Sequence, residues 1–316
     1  MGRRWLVQFL FSLLLLTSLE ADALAESGAR IIFVTHGQPD DPYWTIVKNG
    51  MSEAAARVGA TVEYRAPANF DLGEMKALVD AAVTSHPDGL VVSVPDESVL
   101  GPALKAATMA QIPVIIIDSG SPSLAKKVGA LYFMGQPEFG AGIEAGYRAR
   151  ERSFKHPVCI DHEVGNVSLE ARCHGFSSGI GANAPVLETS LQAGAVERDL
   201  GAYLAAHPET DFILSLGTAV AEKVIDIVGR LPVERRPSIA AFDVSPGVLA
   251  AIADGRMLWT IDAQPYLMGY VPVVTLDLLK RYKLRPVVAD GLYATGPSII
   301  EKTDATALQA LTPGVR

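Results

Sequence analysis

Two aspartates, Asp118 and Asp243, each close an apolar segment, and each segment belongs to a unit that occurs twice in the chain. The first copy runs His86-Pro87-Asp88, the apolar run Gly89–Val94, a helical pattern, and then Ile112–Asp118. The second runs His207-Pro208-Glu209, the apolar run Phe212–Leu216, a helical pattern, and then Pro237–Asp243. Continuous apolar runs of this length are strands of a parallel sheet covered on both faces, and ligands bind beyond the carboxyl ends of such strands. A carboxylate accepts hydrogen bonds from two hydroxyls at once, which is the chemistry that holds a sugar or polyol. The competing reading for either aspartate alone is that it caps the following helix. Tyr43 and Trp44 would supply a second kind of contact, because an aromatic face packs against the C–H face of a sugar ring. For Trp44 the alternative is a place in the core, since Trp44, Val47, Met51, Ala55 and Val58 recur at helical spacing behind Pro42.

The elements needed to position these residues alternate along the chain. Strands are expected at Arg30–Thr35, Ala60–Tyr64, Leu90–Val94, Ile112–Asp118 and Val128–Phe133, with helices between them. Asp71 and Glu74 have the spacing of a capping box, and Leu72, Met75, Leu78, Val79 and Ala82 form a buried stripe. In the second half, strands are expected near Val158–Ile160, Val186–Thr189, Ile213–Leu216, Ile239–Phe242 and Leu258–Ile261. A helix over Tyr266–Tyr282 follows. This rhythm predicts an α/β fold of parallel sheets. The 316 residues suffice for two domains.

Residues 1–25 read as a cleaved signal peptide: Arg3 and Arg4, the short apolar run Trp5–Leu16, and the small-residue site Ala23-Leu24-Ala25. The apolar run is too short to span a bilayer comfortably. The mature chain is expected to begin near Glu26 and to be a soluble periplasmic protein. The formal charge is −8 with no basic stripe, which argues against nucleic acid and anionic membrane surfaces as partners. In an oxidising compartment Cys159 and Cys173 are placed for a disulfide between a strand and its next helix, or else are two separately buried thiols. No nucleophile elbow, zinc-protease motif, spaced Cys/His metal set, P-loop or dinucleotide fingerprint occurs. No enzyme activity, cofactor or metal is therefore expected.

Four motifs in order carry a resemblance to a known family. They are Thr35–Trp44 after the first strand, Ile112–Asp118, Ala241-Phe242-Asp243 before Ser245-Pro246-Gly247, and Ile261–Tyr266 leading into Gly269-Tyr270. The chain resembles the periplasmic sugar-binding proteins of ABC importers, type I, the ribose-binding-like class, over nearly all of its mature length. The resemblance implies two Rossmann-like lobes joined by a three-crossing hinge that closes over solute. The amino-terminal lobe would hold residues 29–135 and 265–292, and the other 136–263 and 294–312. It implies ligand contacts from Gln38, Asp41, Tyr43, Trp44, Asp118, Asn166, Arg172, Asp243 and Gln264, with His36 a weaker candidate. Arg172 would be the cationic donor, or else an ion-pair partner of Glu170 or Glu163; Gln264 would bind or serve only the hinge. Backbone N–H groups at Gly217-Thr218 would replace a polar pair of relatives. Two positions depart from the family: Ser119 where an arginine often follows the aspartate, and Ala263 before Gln264. The partners implied are a sugar or sugar alcohol and a membrane permease, or alternatively a chemoreceptor or histidine kinase that senses the liganded form. A monomer is expected.

Overall fold

The computed structural model describes residues 28–37 and 41–315; the expected signal peptide and Gln38 lie outside them. The chain folds as α/β around two six-stranded sheets. The first has the order β11 (Leu292–Ala294), β5 (Phe133–Gly135), β4 (Val114–Ile117), β3 (Gly89–Val92), β1 (Arg30–Val34), β2 (Thr61–Arg65). The second has the order β12 (Ser298–Ile300), β10 (Trp259–Asp262), β9 (Ser238–Phe242), β8 (Phe212–Ser215), β6 (Pro157–Asp161), β7 (Val186–Glu188). Strands pair in parallel, save β12, which runs antiparallel to β10.

Both faces of each sheet are covered, so the central strands are apolar throughout. Ile32 and Val34 pack on one face with Met75, Val79 and Leu104, while Ile31 and Phe33 pack on the other with Trp44, Val47 and Met268. In the second sheet Ile213 meets Val220 and Val224, whereas Phe212 and Leu214 meet Phe176 and Trp259. The strand order reverses between β1 and β3 in one sheet and between β6 and β8 in the other. Such switch points open a crevice at the carboxyl ends of the strands.

One expected element is corrected. Val128 does not begin a strand; it ends a helix, Pro122–Val128, that Ser121 caps and Gly129 terminates at φ 82°. Glycine adopts that left-handed conformation without steric cost. The strand that follows is confined to Phe133–Gly135.

Glycines bring the helices beside each sheet into backbone contact. Helix Glu138–Glu151 carries Gly142 and Gly146, and helix Val167–Ile180 carries Gly175 and Gly179. A Cβ at Gly175 would lie 2.1 Å from the Phe139 carbonyl oxygen, and one at Gly142 would lie 2.2 Å from that of Arg172. The first lobe repeats the device: a Cβ at Gly50 would lie 2.1 Å from the Tyr266 oxygen, and one at Gly269 2.0 Å from that of Val47. Gly175→Ala is expected to force these helices apart and to cost about 1–3 kcal/mol, the usual range for overpacking. Urea unfolding measures it; an unchanged midpoint would show that the contact is not tight.

Cys159 of β6 and Cys173 of helix Val167–Ile180 are bonded, with Cα atoms 5.8 Å apart. The separately buried thiols are thereby excluded. The bond closes a loop with a sequence separation of 14, worth on the order of 3 kcal/mol in the chain-entropy model. It also fastens the helix that carries Arg172 to the strand below it.

Candidate ligand-binding cleft

Register aligns the two walls. Val34 pairs with Val92, and Val92 with Ile116; Ile160 pairs with Ser215, and Ser215 with Ala241. Two residues beyond this level, the first sheet presents His36, Val94 and Asp118, and the second presents His162, Gly217 and Asp243. Each lobe thus offers a histidine after its first strand and an aspartate after the strand two places along.

The aspartates do not cap helices. Ser121 accepts from Leu124 N at 3.0 Å and Ser245 from Val248 N at 3.2 Å, which leaves both carboxylates to the cleft. Asp118 and Asp243 sit at φ 60° and 69°, a conformation that Asp tolerates better than most residues. Their N–H groups donate to the adjacent strand, at Met134 O (2.9 Å) and Ile261 O (2.7 Å). The backbone of both turns is therefore held by the sheet while the side chains point away from it.

These residues line one cavity together with Asp41, Tyr43, Trp44, Ser119, Glu163, Ser168, Leu169, Arg172, Leu216, Gly217, Thr218 and Ala219. The space left for centres of water-sized molecules is about 40 Å³, enough for a few waters. The walls touch directly. Val167 N donates to Pro95 O at 3.1 Å. Asn166 Nδ2 lies 3.4 Å from His36 Nε2, and Ser119 Oγ lies 3.4 Å from Asn166 Oδ1. His36 Nε2 also stands 3.5 Å from Glu163 and 3.7 Å from Asp118.

Several candidates stand in this cavity. Asp41 caps the Pro42–Val58 helix, accepting from Tyr43 N at 2.9 Å. Tyr43 donates its hydroxyl to Asp118 at 2.5 Å. Trp44 is 2% exposed and serves core and cleft at once, its ring edge-on to His36 at 5.0 Å. Asn166 is set back from the cavity lining, where it caps helix Val167–Ile180 and donates to Glu163 at 2.8 Å. Gln264 is placed at the crossing between lobes: its side chain donates to Thr295 O at 2.5 Å and it is not among the cavity-lining residues.

Arg172 faces the cavity, and its ion pair differs from either one expected. Neither Glu170 nor Glu163 is the partner. Glu138 holds the guanidinium in a bidentate pair at 2.6 and 3.0 Å, and Leu216 O takes a third hydrogen bond at 3.0 Å. Asp243 is 3.5 Å away, and the guanidinium lies 4.5 Å from the centre of the Phe242 ring. Burial alone would lower the pKa of Arg172, but Glu138 and Asp243 reverse that and keep it charged. Glu138 and His162 are the residues the sequence reading missed. The signal for Glu138 was present in the Gly142/Gly146 and Gly175/Gly179 spacings, which bring the two helices together.

Burial governs the titration of the cleft. It lowers His36 to about 4 and His162 to about 3, so both imidazoles are neutral. It raises Asp41 to about 6 and Glu163 to about 8, with neighbouring carboxylates adding to the shift. It also raises Asp243 well above the usual carboxylate range, against the opposing pull of Arg172. Three buried side-chain atoms of the second wall have no protein partner: His162 Nδ1, Thr218 Oγ1 and Asp243 Oδ1. Buried polar atoms without partners are few in native folds, and in a cleft they mark where a hydrogen-bonding ligand fits.

Known proteins share this fold. A carbohydrate transporter from Acidothermus cellulolyticus 11B, solved in complex with myo-inositol, superposes with a TM-score of 0.86 at 32% identity, covering 92% of this chain and 100% of its own. An ABC sugar transporter protein (periplasmic sugar binding protein) from Legionella pneumophila has a TM-score of 0.77 at 26% identity, covering 85% of this chain and 99% of its own. The xylose/arabinose-binding protein XylF of Sulfolobus acidocaldarius is 23% identical over 79% of this chain, which spans 65% of that relative's length. The ribose import binding protein RbsB of Haemophilus influenzae is 27% identical over 78% of this chain and 84% of its own. Residues 31–283 match the model of the periplasmic binding protein domain, and the chain belongs to that family.

Proposed function

We propose that this chain is the solute receptor of an ABC importer, which captures a sugar or sugar alcohol between two lobes and delivers it to a membrane permease. The lobes would comprise residues 29–135 with 265–292, and 136–263 with 294–312. The observation that carries the reading is the pair of matched walls, His36/Asp118 and His162/Asp243, facing one cavity across direct inter-lobe hydrogen bonds. A ring of hydroxyls suits such walls, because every carboxylate accepts and a hydroxyl both donates and accepts. The ligand of the Acidothermus protein supports a cyclic polyol within this class, and relatives named as binding proteins support a receptor without catalytic activity. Export through a cleaved leader at residues 1–25 and action as a monomer belong to the same reading.

A thermal-shift screen against myo-inositol, D-ribose, D-xylose, L-arabinose and D-glucose tests it. A ligand at 100 times its Kd adds about 2.7 kcal/mol of stability, a clear upward shift in Tm. Closure should also lower the radius of gyration in small-angle scattering, since contacts made only in the closed form shift the population toward it. A panel without any shift would overturn the proposal. Deleting the gene and finding sugar uptake intact would move the role from delivery to sensing.

A further inference from the structure

The charge of the cleft points to a narrower ligand class. Four carboxylates line the cavity, Asp41, Asp118, Glu163 and Asp243, against one guanidinium, Arg172. That guanidinium is already engaged by a fifth carboxylate, Glu138, at 2.6 and 3.0 Å. The residue after Asp118 is Ser119, which brings a hydroxyl and no charge.

Hydrogen-bond roles show the same imbalance. His36 Nε2, Asp118 Oδ2 and Glu163 Oε2 converge from two lobes within 3.7 Å of the imidazole nitrogen. The donors beside them are Tyr43 Oη, 2.5 Å from Asp118, Ser119 Oγ, 3.0 Å from Asp118, and Asn166 Nδ2, 2.8 Å from Glu163, all uncharged. The imidazole is neutral and brings at most one proton to the group, whichever tautomer it adopts. On the opposite wall, Asp243 Oδ1 and His162 Nδ1 have no protein partner although both side chains are at least nine-tenths buried. Among the described residues no group of three His, Cys, Asp or Glu is placed to hold a metal ion. What complements these acceptors is a small organic cation with several donors.

We propose that the preferred ligand is a sugar or cyclic polyol carrying an amino group, whose ammonium is received by Asp41, Asp118 and Glu163 while its hydroxyls meet Asp243, His162 and Thr218. This rests on the sugar-receptor reading and narrows it. An ammonium supplies three donors and the positive charge that the uncharged donors Tyr43, Ser119 and Asn166 do not bring, and it leaves Arg172 with Glu138. Anionic sugars are disfavoured by the same count.

Proton linkage gives the inference its signature. Glu163 faces His36, Asp41 and Asp118 from the first lobe and Asn166 and Asp161 on its own side; Asp41 faces Asp118 and, on its helix, Lys48. With Glu163 held up near 8 and Asp41 near 6, an incoming ammonium favours their ionised forms and expels protons. Affinity for the amine should therefore rise from pH 5 to pH 8.

Calorimetry with two matched pairs decides the matter: myo-inositol against its monoamino analogue, and D-glucose against D-glucosamine. In at least one pair the amine is expected to bind at least tenfold tighter at pH 7.5. Its heat should vary with buffer ionisation enthalpy, and its advantage should shrink at pH 5. Glu163→Gln and Asp41→Asn should each reduce the amine-to-neutral affinity ratio. If the hydroxyl member of both pairs binds as tightly as the amine, this inference falls and the sugar reading stands. If all four compounds fail, this inference falls, and failure of the wider sugar screen would take the sugar reading with it.

Discussion

Glu138→Ala is expected to lower the free energy of unfolding by about 3–5 kcal/mol, the cost of leaving a buried charge without its partner. Arg172 is 3% exposed and donates two of its hydrogen bonds to Glu138. Gln136 donates to the same carboxylate at 3.0 Å, so its amide is stranded as well. Asp243, 3.5 Å from the guanidinium, can take over part of the load, which favours the lower end of the range. Denaturant unfolding at neutral pH gives the number; a loss under about 1 kcal/mol would mean that Leu216 O and Asp243 suffice to hold the charge. Replacing Glu138 and Arg172 together by methionine should restore most of the stability, because well-packed apolar residues often match a buried ion pair. That double variant should fold and fail to bind solute. The outcome would separate the work the pair does for the site from what it does for the fold.

The features legible in the sequence are those set by short-range pattern. Gly89–Val92 and Val114–Ile117 read as strands because each is wholly buried, and the carboxylate beyond the second is found by simple counting along the chain. The strand expected at Val128–Phe133 failed because Ala130, Leu131, Tyr132 and Phe133 form an apolar run that outweighed a plainer signal. Ser121-Pro122 and Gly129 bracket a short helix, and the chain from Ala130 onward only enters the sheet at Phe133. The Cys159–Cys173 bond requires helix Val167–Ile180 to lie against β6, which the spacing of the two cysteines alone does not report. The Glu138–Arg172 pair spans 34 positions and depends on backbone contact between two helices. The four-residue spacing of Gly142/Gly146 and Gly175/Gly179 marks two helices able to approach closely, but it does not say that they approach each other. The matched histidines escaped notice for a related reason, since their equivalence exists only in sheet register.

A neutral imidazole also explains how His36 can stand 3.5 Å from Glu163 and 3.7 Å from Asp118 without carrying the charge of an ion pair. Burial removes the solvation that a charged ring needs, and for His36 this outweighs the pull of Asp118. The imidazole of the first wall consequently brings no positive charge at neutral pH. Gly217 has a matching role on the second wall, because a Cβ there would meet the His162 ring at 2.9 Å. Its lack of a side chain lets the imidazole lie against the start of helix Thr218–Gly229, whose first turn has no side-chain cap. The positive end of that helix disfavours a protonated ring.

Asp243→Asn is expected to weaken binding of the tightest solute in the sugar panel by at least tenfold while the fold persists. Asparagine tolerates the left-handed conformation that residue 243 adopts at φ 69°, so the turn survives the change. Arg172 keeps Glu138, so no buried cation is stranded. What is lost is the acceptor at Oδ1, which has no protein partner and is therefore the atom free to take a solute hydroxyl or ammonium. Leaving a buried polar group of the solute without its partner costs about 1–3 kcal/mol, or roughly 5–140-fold in affinity at 1.4 kcal/mol per decade. Titration calorimetry reads the change, and an unaltered Kd would remove the second wall from the site. The same substitution at Asp118 discriminates further. If both walls grip one molecule, Asp118→Asn must also cost at least tenfold, although Tyr43 would retain the amide oxygen as an acceptor. A loss confined to Asp243 would mean that solute rests on the second lobe alone. Closure would then be driven by the contacts of His36, Glu163 and Asn166 rather than by the solute.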